Sequence, residues 1–157
     1  MSGKAIGKTL PLGYRGNVSR TPDVIIESFA NVGTANIEYG APVYFSNGGV
    51  KAIDASATAS NIIGIAVRRM GQPYADDSQG WYYKPNDTVD VLVRGSVIVE
   101  LSSTSGVAAK GSVYVTAANG AISATSSGNV AIPNTIFSGN VEADTKLAEV
   151  TILTRSM

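Results

Sequence analysis

A β-hairpin pattern that occurs twice is the feature that most constrains how this 157-residue chain can fold. The two copies are residues 40–52 (GAPVYFSNGGVKA) and residues 110–122 (KGSVYVTAANGAI). In each copy a Gly opens a short apolar strand with Val-Tyr at its centre, and an Asn-Gly turn and a weaker apolar strand follow. The pattern therefore predicts two β-hairpins of one design.

The segments that follow the two hairpins are also alike. Residues 61–67 have a looser counterpart in residues 129–136, and residues 88–93 have one in residues 148–153. We therefore interpret the chain as two versions of one β unit. They span residues 37–95, with an insertion at 70–84, and residues 107–154.

Two such units are too few for an open repeat array, which needs at least about three. We expect an all-β fold, in which the two units close into one small β-sandwich or β-barrel over residues 23–157. Helical spacing is missing over any long window, so helix is expected only as single turns near residues 54–59 and 143–146.

The composition excludes several kinds of chemistry. The chain has neither His nor Cys, so a Ser/His/Asp or Cys/His nucleophile and a thiolate metal site are impossible. The acidic pairs Asp76-Asp77 and Asp87/Asp90 do not match a calcium-loop spacing. We predict no enzyme activity, no metal and no cofactor.

Targeting and nucleic-acid signals are also missing from the sequence. The first 14 residues lack the apolar block of a secretory signal, and no apolar run approaches the length of a membrane span. A nucleic-acid surface usually needs a sustained basic stripe, and Arg68-Arg69 is an isolated pair. We expect no membrane and no nucleic acid among the partners.

Residues 1–22 differ from the rest of the chain. They contain Lys4, Lys8, Arg15 and Arg20 and no acidic residue, whereas the whole chain has a formal net charge of zero. We interpret this segment as an extended basic arm that lies along a partner, with Tyr14 as an apolar anchor. The alternative is a terminus without a role.

The insertion at residues 70–84 concentrates aromatic side chains. Its Tyr74, Trp81, Tyr82 and Tyr83 include the single Trp of the chain. Aromatic residues in a loop supply contact area and a polar group for an interface. The loop is predicted to be either an oligomer or surface contact, or a plug folded over an open end of the sheet.

The order of several motifs resembles the structural cement, or capsid decoration, proteins of tailed bacteriophages. These motifs are residues 13–28 (GYRGNVSRTPDVIIES), 37–43 (IEYGAPV), 61–66 (NIIGIA) and 93–97 (VRGSV), together with the second hairpin at 111–115. The resemblance implies a non-enzymatic protein on the outer surface of the mature head, made in the host cytoplasm. It also implies that the protein bridges neighbouring major capsid protein subunits and forms homodimers or homotrimers.

A competing interpretation is a glycan- or receptor-binding β module on a virion, whose aromatic loop stacks on sugar. The two functions place the main contact on different residues. As a cement protein, the chain would contact the capsid through Lys4, Lys8, Tyr14, Arg15 and Arg20. As a glycan-binding module, it would use the aromatic loop.

Overall fold

The structure, a computed structural model, describes residues 12–68 and 81–155. These residues form eleven strands and no helix, which confirms the all-β prediction. Residues 54–59 and 143–146 contain turns only. Within the described ranges no helix offers the length and apolarity that a membrane crossing requires.

Nine strands form one large antiparallel sheet, and two short strands form a second sheet. In chain order the strands are β1 (Val18–Ala30), β2 (Ile37–Glu38), β3 (Pro42–Ser46), β4 (Gly49–Ala52), β5 (Ile62–Ala66), β6 (Tyr82–Tyr83), β7 (Thr88–Glu100), β8 (Ser112–Val115), β9 (Ile122–Ser123), β10 (Val130–Glu142) and β11 (Leu147–Ile152). The large sheet has the order β4-β3-β5-β7-β11-β10-β8-β9, with β1 also paired to β7. The small sheet pairs β2 with β6.

Both predicted hairpins are present, but their turns differ. In the first, Asn47 and Gly48 have φ values of 50° and 79° and join β3 to β4 directly. Positive φ at both central residues is the geometry that favours Asn-Gly in two-residue hairpins. In the second, the Thr116 N–H bonds the Ala121 carbonyl at 2.9 Å, so a wider loop holds the Asn-Gly pair.

The sheet order repeats the duplicated unit. In the first half the hairpin β3/β4 pairs with β5, and β5 pairs with β7, which gives the order β4-β3-β5-β7. In the second half the hairpin β8/β9 pairs with β10, and β10 pairs with β11, which gives the order β9-β8-β10-β11. The residue after β1, Asn31, makes an isolated parallel bridge to Val50 of β4, and the residue after β7, Leu101, makes the same bridge to Ile122 of β9. Each half is therefore a ring of five paired strands, and β7 belongs to both rings.

Gly95, with a φ of 123°, marks the point at which β7 passes from one ring to the other. Before it, Val89, Val91 and Val93 belong to one apolar cluster. After it, the odd-numbered residues Val97 and Val99 belong to the other cluster. The irregularity at Gly95 therefore shifts the alternation by one residue, so that odd-numbered side chains face one cluster before Gly95 and the other cluster after it.

The two clusters form two cores. The main core draws residues from both halves, including Ile65, Val113 and Phe137. The first-half core contains only first-half residues, and the small β2/β6 sheet contributes Ile37 and Tyr83 to it. The aromatic insertion therefore returns to the body through β6, whose Tyr83 is buried.

The boundary that the sequence placed at residue 22 falls within β1 (Val18–Ala30). Residues 18–22 therefore lie in a strand of the large sheet. Of the predicted arm, residues 1–11 are outside the described ranges.

Candidate functional site

Residues 12–17, which we call the N-terminal root, lie against the body through backbone hydrogen bonds. The Gly16 N–H donates to the Ile98 carbonyl at 2.8 Å, and the Ile98 N–H donates to the Asn17 carbonyl at 2.9 Å. The Arg68 N–H donates to the Gly16 carbonyl at 2.8 Å. At the start of the root, the Leu12 N–H donates to Glu142 Oε1 at 2.5 Å. The root thus extends β1 along the edge of β7 and is fixed at both of its ends.

Gly16 allows the root to approach the body this closely. A Cβ on Gly16 would lie 2.8 Å from the Cβ of Tyr39 and 3.1 Å from the Arg68 nitrogen. Such a separation is below normal contact, so a side chain at residue 16 would push the root away from the turn between β2 and β3. Gly16 also has a φ of 81°, which other residues adopt only with strain.

Tyr14 of the root stacks on Trp81 of the insertion. Their ring centroids are 5.5 Å apart and their planes differ by 18°. The Arg68 guanidinium lies 4.6 Å from the centre of the Trp81 ring, and Tyr39 contacts the same ring edge-on at 6.4 Å. We call Tyr14, Arg68 and Trp81 the clasp; stacking and cation–π contacts are both favourable in this arrangement.

The clasp brings together Tyr14 of the predicted basic arm and Trp81 of the predicted aromatic loop, which the sequence analysis assigned to separate sites. It also includes Arg68, which that analysis did not propose as a site residue. A signal was available, because Arg68 lies just before the insertion and Trp81 lies near its end, and a loop that leaves and rejoins one body brings its two ends together. The N-terminal segment and the insertion therefore meet the described body at one place.

Arg15 forms ion pairs within the body. Its Nη1 lies 2.6 Å from Glu38 Oε2 and 3.5 Å from Glu100 Oε2. Both carboxylates are more than half exposed, so each pair contributes little on its own. The pairs link the root to β2 and to the end of β7, beside a cavity of about 240 Å³.

Arg20 also has an internal partner, the buried Glu149 of β11. Arg20 Nη2 lies 2.7 Å from Glu149 Oε1, and the Glu149 side chain is 5% exposed. Within the described residues Oε1 has no directional hydrogen bond, so the contact is an ion pair. Burial alone would raise the pKa of Glu149, but Arg20 and the hydroxyls of Ser138 and Ser19 outweigh it and hold the pKa below its usual range.

The remaining aromatic candidates have different environments. Tyr83 is 3% exposed, and its hydroxyl donates to the Val67 carbonyl at 2.7 Å, so it fills the first-half core. Tyr82 and Trp81 are half-buried. Lys4, Lys8 and Tyr74 lie outside the described residues. No group of three metal-ligating side chains occurs within residues 12–68 and 81–155.

The described residues form an all-β body of two fused rings, with the N-terminal root hydrogen-bonded to its surface. The family model for structural cement proteins (E217 gp24/Pam3 gp6) matches residues 3–153. The chain therefore belongs to the phage structural cement protein family. It is a non-enzymatic component of a phage capsid.

A solved structure agrees with this assignment at the level of the fold. A chain of "The capsid of Myoviridae Phage XM1" superposes with a TM-score of 0.75 at 20% sequence identity, and the match covers 98% of each chain. At this identity the likeness establishes the fold alone. Among curated proteins, none matches the sequence significantly.

Proposed function

We propose that the protein binds the outer surface of the mature head and bridges neighbouring major capsid protein subunits, which stabilises the shell. Membership of the cement family carries this proposal. The N-terminal segment is the proposed contact, because it is basic and its root is fixed to the body at residue 12. A fixed root restricts the space that a contact segment explores, which lowers the entropy cost of binding.

The internal ion pairs of Arg15 and Arg20 divide the basic residues of this segment into two groups. Arg15 and Arg20 hold the root and β1 against the body. We therefore assign the charge contacts with the capsid to Lys4 and Lys8, and an apolar contact to Tyr14, which is 60% exposed. Complementary charge guides encounter and register, and many copies on one lattice add their weak contacts by avidity.

We infer that the two rings form two small barrel-like units joined through β7, with the main core between and within them. This arrangement differs from the one small β-sandwich or β-barrel that the sequence predicted for both units together. Strands β5 and β10, which are separated by two strands in the sheet order, approach each other across this core. Such a body presents a rigid platform for the contact segment.

The glycan-binding alternative requires an aromatic ring open to a sugar face. Trp81 is instead contacted by Tyr14, Arg68 and Tyr39. We therefore base the proposed function on capsid binding.

Cosedimentation with expanded, undecorated heads tests the proposal. The full chain is expected to bind saturably. The Lys4→Glu/Lys8→Glu variant is expected to bind at least about tenfold more weakly, since two attractive contacts become repulsive. The matched control is Lys110→Glu/Lys146→Glu, which makes the same charge change at two exposed turn positions of the body. Equal binding by both variants would refute the assignment of Lys4 and Lys8.

A further inference from the structure

The backbone direction at Leu12, where the N-terminal root begins, is not set by strand β1. A turn separates the two, because the Asn17 N–H donates to the Tyr14 carbonyl at 3.2 Å. The backbone pairing of the root with Ile98 ends within this turn. A separate contact must therefore orient the backbone at Leu12.

That contact is the hydrogen bond from the Leu12 N–H to Glu142 Oε1, at 2.5 Å. Glu142 is the last residue of β10, and it pairs with Leu147 at the end of the β10/β11 ladder. The Leu147 side chain is buried, and Leu147 also pairs with Glu100 of β7. The backbone that carries the Glu142 carboxylate is therefore a fixed part of the large sheet.

A second hydrogen bond orients this carboxylate. The Thr145 hydroxyl, in the turn between β10 and β11, donates to Glu142 Oε2 at 2.7 Å, which leaves Oε1 for Leu12. The Leu12 N–H, followed by the Thr145 hydroxyl, holds the pKa of Glu142 below its usual range. Hydrogen bonds to an ionised acceptor are stronger than those to a neutral one. The two bonds together hold the carboxylate in one orientation toward the root.

The other carboxylates that contact the N-terminal segment bind side chains instead. They pair with its two arginines, Arg15 with Glu38 and Glu100, and Arg20 with Glu149. A long arginine side chain can keep such a pair while its backbone moves, whereas a bond to a backbone N–H fixes the chain itself. Within the described ranges, the Leu12 N–H is the one backbone group of residues 12–15 that bonds to another element.

We propose that Glu142 is a positioning residue for capsid binding, because it holds the backbone from which the contact segment with Lys4 and Lys8 begins. This inference rests on the proposed function. Without the bond, the chain would be free from the turn at residues 14–17 rather than from Leu12. More backbone would then have to be ordered on binding, which weakens binding. Thr145 acts through Glu142, by fixing which oxygen faces the root.

Amide hydrogen exchange of the full chain, followed at Leu12, tests whether the carboxylate holds the backbone. The Leu12 amide is expected to exchange at least about fivefold faster in Glu142→Ala, because its acceptor is removed. Glu142→Gln keeps an acceptor oxygen and is expected to restore most of the protection. The matched control, Asp144→Ala, removes an exposed carboxylate from the same turn and is expected to leave Leu12 protected. Exchange at Ile98 that is unchanged in all three variants would confine the effect to the root.

Cosedimentation of the same variants with expanded, undecorated heads tests the consequence for binding. Glu142→Ala is expected to bind at least about fivefold more weakly, which is the cost of ordering one further backbone residue. Glu142→Gln should recover most of this loss. Asp144→Ala should bind as the wild type does, which separates positioning from the removal of a negative charge.

Two results would overturn the proposal. One is a Leu12 amide that exchanges equally in the wild type and in Glu142→Ala. The other is wild-type binding by Glu142→Ala although its Leu12 amide exchanges fast. A wild type that does not bind heads would instead refute the proposed function, and exchange at Leu12 would still decide whether Glu142 fixes the start of the segment.

Discussion

Gly16 and Gly40 lie backbone to backbone, and neither position has room for a side chain. A Cβ on Gly40 would be 2.9 Å from the Gly16 nitrogen, and a Cβ on Gly16 would be 3.1 Å from the Gly40 nitrogen. Both residues have φ values near 80°. This contact joins the N-terminal root to the turn between β2 and β3, so the position of the proposed capsid-contact segment depends on it.

We predict that Gly16→Ala destabilises the fold more than Gly48→Ala. Gly48 has a similar φ of 79° but no atom within 4 Å of its would-be Cβ, so it provides a control for backbone strain alone. Strain costs about 1–2 kcal/mol at either position, and the steric clash adds about 1–3 kcal/mol at Gly16. Urea unfolding of both variants measures the difference, and equal losses would show that the close contact is unimportant.

Tyr14→Ala is expected to change the fluorescence of Trp81, the only Trp of the chain, because the ring that stacks on it is removed. The free energy of unfolding is expected to fall by about 0.5–1.5 kcal/mol. Tyr14→Phe keeps a ring of the same shape and is expected to retain the native emission spectrum. Identical spectra for all three proteins would contradict the stacked arrangement.

The Arg20–Glu149 pair predicts a specific dependence of stability on pH. Because the pKa of Glu149 is lower in the folded than in the unfolded state, the pair stabilises the fold above the ordinary Glu pKa of about 4.3. This stabilisation is lost as the pH falls through the folded-state pKa. Glu149→Gln is expected to lower the free energy of unfolding by about 0.5–1 kcal/mol at neutral pH, a small value because Arg20 is exposed. The free energy of unfolding of this variant should also fall less steeply as the pH is lowered.

Arg20→Gln provides the complementary variant. Burial then acts on Glu149 without the guanidinium, so the pKa of Glu149 rises and the acid decline moves to higher pH. Chemical unfolding at a series of pH values measures both effects. If the free energy of unfolding fell with decreasing pH in the same way for the wild type and both variants, the result would contradict the ion pair.

Asn31 stands where the second half has Leu101, and its side chain is expected to be indispensable. Its Nδ2 donates to the Ala35 and Lys84 carbonyls at 3.0 and 3.1 Å, and its Oδ1 accepts from the Gly33 N–H at 3.0 Å. Asn31→Ala leaves buried polar groups unpaired and should cost at least about 2 kcal/mol. The exposed Asn119, with one turn bond, is the control: Asn119→Ala should cost less than about 1 kcal/mol.

The parts of the fold that follow from local chemistry could be predicted from the sequence. The Asn47-Gly48 turn and the alternation along β7 are short-range signals, and the similarity of the segments after the hairpins indicated the duplication that the sheet order shows. The parallel bridges and the pairing of residues 16–20 with β7 join distant parts of the chain, and no local pattern specifies them. The strand β1 therefore begins at Val18, before the boundary that composition suggested.

The candidate site divides in the same way. Basic charge and aromatic clustering indicated two candidate segments, but not which of their side chains have partners within the body. Arg15 and Arg20 find carboxylates that are distant in sequence, and Tyr83 is buried by pairing of β6 with β2. Arg68 contacts Trp81 because the folded body brings the two ends of the insertion together.

Heating DNA-filled heads with and without the saturating protein tests most directly whether the protein cements the shell. We predict that heads carrying the wild type or Lys110→Glu/Lys146→Glu retain their DNA to a higher temperature than undecorated heads. Heads mixed with Lys4→Glu/Lys8→Glu should release it at the undecorated temperature. Release at one temperature for decorated and undecorated heads, despite saturable binding, would contradict the account.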